Sequence, residues 1–105
     1  LTRYPGASLQ INTIHSTHIN IAAVHNGKLL LFNRIVSADT TLEFIFDTEI
    51  KFDLLQASHI SCILNNESLD TYFTKEEVSL RGSYIVESGQ LYVAYYKPDL
   101  KDTIQ

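Results

Sequence analysis

Between positions 42 and 54 the chain alternates with a period of two. The even positions read Leu42, Phe44, Phe46, Thr48, Ile50, Phe52 and Leu54, and six of these seven are apolar. The odd positions read Glu43, Ile45, Asp47, Glu49, Lys51 and Asp53, and five of these six are charged. Alternate side chains of a strand point to opposite faces, whereas a helix would scatter these residues around its circumference. The stretch is therefore extended, with one face in a core and an acidic face in water. It is long for a single strand, so a bend or break is predicted near Asp47-Thr48.

A hairpin is predicted around Asn26-Gly27. Both residues tolerate positive φ, which a two-residue type I′ turn requires. That turn fixes the register: Val24 faces Leu29, Ala22 faces Leu31 and Asn20 faces Asn33. On the other side Ala23 faces Leu30, Ile21 faces Phe32 and Ile19 faces Arg34. Both faces near the turn are apolar. This predicts a central hairpin, covered on two sides or buried at an oligomer contact.

A second hairpin is predicted over 78–96, around Glu87-Ser88-Gly89-Gln90. A tight turn there would pair Val86 with Leu91 and Tyr84 with Val93, with a bulge at Gly89 as the alternative. Positions 9–14 and 59–64 read as further strands, and Asn65-Asn66-Glu67-Ser68 as a turn. Positions 69–73 read as a strand or one helical turn, Thr74 to Glu77 as a capping box, and Tyr4-Pro5-Gly6 as a terminal turn. Short strands at this density predict an all-β fold. We expect an antiparallel β-sandwich, jelly-roll or Ig-like, or a small barrel, with seven to nine strands.

The 105 residues amount to one β-rich domain, 1–105. The chain starts at Leu1 and contains no methionine, so a fragment or processed part of a longer chain is expected. Net charge is −4, and the eight basic residues are scattered, which leaves no row of cations to meet phosphates. Nucleic acid is excluded as a partner on that ground. Membrane insertion is excluded because no apolar run approaches the ~20 residues of a spanning helix.

Residues that could carry chemistry are few. Cys62 is the only cysteine and sits among Ile60, Ile63 and Leu64, as a small core residue would. His15 and His18 have a spacing that would diverge on a strand, and His59 and Cys62 would diverge likewise. Glu43, Asp47 and Glu49 would share one strand face. That face reads as solvated charge that protects a long strand from aggregation. No phosphate-binding glycine loop or nucleophile elbow is present. No catalytic residue, metal ligand or cofactor is assigned. Asn66-Glu67-Ser68 is a glycosylation sequon in a turn.

Positions 11–46 loosely resemble a piece of the actin-like ATPase fold in their turn, strand, Asn26-Gly27-Lys28 and strand order. The acidic and glycine residues of that family's phosphate loop are absent, and its following helix would fall where this chain alternates as a strand. The resemblance is not adopted.

The tyrosines remain. In the predicted register Tyr92 faces Ile85 and Tyr96 faces Arg81, making a Tyr/Ile/Arg face of the kind found at partner surfaces. These four residues are the candidate binding site. The expected function is a non-enzymatic protein-binding or assembly module, with another protein or a second copy as partner. The alternative is a small-ligand or carbohydrate-binding β domain in which tyrosine rings stack on sugars.

Overall fold

The alternating stretch at 42–54 forms two strands that lie in two different sheets. A computed structural model describes residues 7–70 and 78–96. Within them the strands are β1 (Ala7–Thr13), β2 (Thr17–His25), β3 (Lys28–Val36), β4 (Thr41–Phe46), β5 (Glu49–Leu54), β6 (Ile60–Leu64), β7 (Glu67–Ser68), β8 (Ser79–Ile85) and β9 (Gln90–Tyr96). One 3-10 turn, Ala57–His59, leads into β6. One sheet has the order β4-β1-β6-β7 and the other β3-β2-β5-β8-β9. Every pairing is antiparallel. The two sheets pack face to face as a β-sandwich, not a closed barrel.

The crossing from β4 to β5 occurs at 47–48, where the alternation predicts a break. The Asp47 and Thr48 amides both donate to the Val24 carbonyl, at 2.9 and 3.4 Å. The Asp47 carboxylate accepts the Asn26 amide at 2.7 Å. That bond, more than any other contact, holds the Asp47 carboxyl below the usual carboxylate range. The sheet change is thus pinned to the β2–β3 turn. Even positions are buried on either side of the crossing, Phe44 and Phe46 in one sheet and Ile50, Phe52 and Leu54 in the other, while Thr48 at the crossing is exposed.

Side chains from both inner faces fill the core, including Leu9, Ile11, Ile19, Ile21 and Cys62. Aromatic rings bridge the layers edge to face. Phe32 meets Phe44 at 5.3 Å between centroids, and Phe46 meets Tyr84 at 6.0 Å. The buried Thr13 hydroxyl donates to the Ser37 carbonyl at 2.6 Å and accepts the Thr40 amide at 2.9 Å. This fastens the connection between β3 and β4, where Asp39 takes a left-handed φ of 59°.

The β2–β3 register matches the prediction from Asn26-Gly27 residue for residue, with φ of 52° and 73° at the two turn positions. The predicted placement of that hairpin needs correction. β2 is internal, but β3 is the edge of its sheet. Within the described residues nothing covers the outer face of β3.

The β8–β9 register also differs from the tight-turn expectation. Tyr84 faces Leu91, and Ser83 faces Tyr92. The cause is Gly89, whose φ is 67° and whose amide donates to the Ile85 carbonyl at 2.9 Å. The loop is therefore 86–89, ending on its left-handed glycine. Glu43 and Glu49 do not share a face, because their strands belong to different sheets. Asn65 and Asn66 form the predicted turn, both with positive φ, while Glu67 and Ser68 pair as β7. The predicted capping box, the terminal turn and positions 71–73 lie outside the described residues.

Candidate functional site: the outer face of the five-stranded sheet

The sheet registers align side chains in rows across the outer face. One row runs Leu31, Ala22, Lys51, Ser83, Tyr92, and the next runs Asn33, Asn20, Asp53, Arg81, Ala94. The face has two parts, a groove over β2, β5, β8 and β9 whose largely apolar lining carries a few charged and polar groups, and an uncharged edge at β3.

The groove has a volume of about 600 Å³, and Lys51, Asp53, Arg81, Ser83 and Tyr92 are among its lining residues. At one end Arg81, Asp53 and Tyr96 close into a network. Arg81 Nε donates to Asp53 Oδ2 at 3.1 Å, and the Tyr96 hydroxyl donates to Asp53 Oδ1. The Arg81 guanidinium also lies 4.3 Å from the centre of the Tyr96 ring. Both carboxylate oxygens of Asp53 are thereby engaged. The bond to Asp53 keeps Arg81 firmly protonated. Burial first, and then the bond to Asp53, push the Tyr96 phenol above its usual range.

The four residues expected to form a binding surface all project from this face, because a two-residue slip in register preserves sidedness. They do not form one cluster. Arg81 and Tyr92 line the groove. Tyr92 is 56% exposed, and its hydroxyl donates to Gln90 Oε1 at 2.7 Å. Tyr96 pairs with Ser79 and reaches Arg81 diagonally. Ile85 faces Gln90 on one side and Glu49 on the other, outside the groove lining. Tyr84 points inward to Phe46.

The β3 edge is the more unusual surface. Leu29, Leu31 and Ile35 are 61%, 70% and 73% exposed, all on the outer side. In a hairpin closed by a two-residue turn, bonded pairs alternate outward from His25–Lys28. The even residues of β3 therefore bond to β2. Leu29, Leu31, Asn33 and Ile35 aim their amides and carbonyls away from the sheet. The Val24 carbonyl, turned from β3 toward Asp47, agrees with this parity. At nine residues, β3 is longer than β9, β4 or β7, the other sheet edges.

Of the usual devices that blunt an exposed edge, several are missing from this one, while one, charge on the inner side of the strand, is present. Pairing with β2 is continuous from Lys28 to Val36, without a bulge or a proline. Lys28 and Arg34 sit at even positions, on the inner side, and the Arg34 guanidinium lies 4.6 Å from the centre of the Phe32 ring. The outer side of the edge carries no charge.

Other candidates resolve simply. Cys62 is fully buried, and burial, reinforced by the Asp70 charge, pushes its thiol far above the ordinary range. His18 lies on β2, whereas His15 stacks edge-to-face with His59 at 5.0 Å, a contact between distant positions. Among the described residues no three His, Cys, Asp or Glu side chains gather to hold a metal ion, and no helix is long and apolar enough to cross a membrane.

Asp53 at the centre of the network and Lys51 within the groove belong to no sequence motif. Their charges were visible, but the adjacency of β5 and β8 has no local signature. In comparisons with known proteins the chain matches no family model, no curated protein and no solved structure.

Proposed function

We propose that this domain is a protein-binding or assembly module that accepts an extended strand at β3. One observation carries the proposal: a nine-residue edge whose outward backbone groups and outer aliphatic side chains are both open. Strand addition uses both features. Main-chain hydrogen bonds supply affinity, and alternate side chains supply selectivity. Exposed aliphatics in a contiguous row mark contact surfaces more often than solitary ones do.

The test is an NMR titration with a synthetic strand-forming peptide of alternating valine and glutamate, chosen to complement Lys28 and Arg34. The expected result is movement of the Leu29, Leu31, Asn33 and Ile35 amide signals. Shifts confined to other strands, or none at all, would remove β3 as the docking edge.

A second reading is favoured by the groove beside it. An exposed tyrosine ring next to Lys51, Asn20 and Ser83 offers a stacking platform with hydrogen-bonding groups, the composition of a small-ligand or carbohydrate site. Under this reading a panel of soluble oligosaccharides shows saturation transfer from the protein, and Tyr92→Ala abolishes it. Tyr96→Ala is the weaker probe, because the Tyr96 hydroxyl is already engaged by Asp53.

A further inference from the structure

We infer that His15 and His59 form a two-imidazole site for one late first-row divalent metal ion, binding copper(II) most tightly. The inference is independent of the strand-docking reading. It rests on where the fold sets these two rings and on which nitrogens it leaves open.

The two residues come from distant segments that the backbone ties together. Thr13 pairs with Ile60 across β1 and β6, and the contact continues beyond both strands. The His59 carbonyl accepts the Ile14 amide at 2.7 Å and the His15 amide at 3.3 Å. Ser16 completes the connection to β2, and its carbonyl oxygen lies 3.4 Å from His59 Nδ1. A carbonyl oxygen only accepts, so this contact places the proton on Nδ1 and leaves the Nε2 lone pair open. A ring N–H held by a backbone carbonyl is the usual outer support of a metal-ligating histidine. His15 is exposed, and its ring makes no hydrogen bond among the described residues.

The spacing suits a shared ion. A histidine nitrogen sits about 2.0 Å from zinc and the ring centre about 1.1 Å behind it, so each centre stands roughly 3.1 Å from the ion. Two rings sharing one ion at angles between square and tetrahedral then have centres roughly 4.4–5.1 Å apart. The His15 and His59 centres are 5.0 Å apart, with ring planes at 67°. The exposed His15 ring meets the shared point by turning about its Cβ–Cγ bond, a torsion with broad minima. Imidazole suits both copper and zinc, and in a given site copper(II) binds the tighter. No third His, Cys, Asp or Glu joins the pair among the described residues, so water fills the remaining positions and the site stays open.

Copper(II) titrated into the full chain, followed by calorimetry and electron paramagnetic resonance, tests the assignment. The expected result is one ion per chain with two nitrogen ligands, and weaker binding of zinc(II). With zinc(II), the ring NMR signals of His15 and His59 should move together, while those of His18 and His25 stay in place. Loss of an outer partner alone costs about 10–100-fold in metal affinity, so His15→Gln and His59→Gln should each cost more than about tenfold. His25→Gln, at the opposite end of β2, should bind as the native chain does. The ring signals are read on the native chain, so they decide the matter even where a substitution disturbs folding. No saturable binding, a single nitrogen ligand, or ring shifts centred on other histidines would overturn the site. The two rings would then be an edge-to-face packing contact alone.

Discussion

The Phe52 ring lies directly over Gly82, its partner across β5 and β8, so that a Cβ at Gly82 would stand 2.2 Å from Phe52 Cζ. The glycine leaves space that the ring fills, and the ring covers backbone that would otherwise be bare beneath the core. Gly82→Ala is expected to destabilise the fold by about 1–3 kcal/mol through overpacking. Urea unfolding checks this. The double variant with Phe52→Leu should lose less than the sum of the single losses, because the shorter side chain relieves the clash.

The Tyr96–Asp53–Arg81 network predicts behaviour at high pH. The folded chain holds the Tyr96 proton more tightly than the unfolded chain does. The associated stability is full below the ordinary phenol value of about 10 and is lost as pH rises through the higher folded value. Ultraviolet titration of tyrosinate should show a late-ionising phenol in the native protein. Tyr96→Phe should remove it and flatten the alkaline side of the stability profile.

At the opposite end of the pH scale the relevant group is Asp47. Its carboxyl, depressed chiefly by the Asn26 amide, contributes stability that is present above the ordinary carboxylate range and lost as pH falls through the lower folded value. Carboxyl-carbon NMR should place the Asp47 titration below that of ordinary aspartates. The Asn26 amide signal should follow the same curve. Asp47→Asn should uncouple the two and loosen the hairpin turn.

Cys62 supplies a reporter of global opening. A thiol that is buried and hard to ionise reacts only when the sandwich opens. A disulfide-exchange reagent at neutral pH should leave the native thiol unmodified over times that label a denatured sample fully. Fast labelling without denaturant would show that β6 opens locally.

Local signals carried much of the fold. Asn26-Gly27 fixed a turn type, and the turn type fixed every pair of the β2–β3 register. The alternation at 42–54 identified the buried residues because period two survives a change of sheet. It could not reveal the change itself, which depends on Val24 and Asn26 capturing Asp47 from another strand. The β8–β9 turn was legible in kind but off by one position, because Gly89 can serve in more than one place in a four-residue loop. Strand neighbours were least legible. Asp53 meets Arg81, and β3 lies at an edge, through pairings between distant segments. The same apolar residues that read as a covered hairpin became an exposed row once β3 had no neighbour.

Amide hydrogen exchange along β3 tests the open edge most directly. Lys28, Leu30, Phe32 and Arg34 bond to β2 and should be protected at every protein concentration. Leu29, Leu31, Asn33 and Ile35 should exchange rapidly in the free protein and gain protection together when the valine–glutamate peptide is added. Uniformly rapid exchange of those four amides, even with the peptide in excess, would contradict strand docking at β3. Protection of the same four in free protein that is monomeric by light scattering would mean that the chain covers its own edge, and would contradict the account at its root.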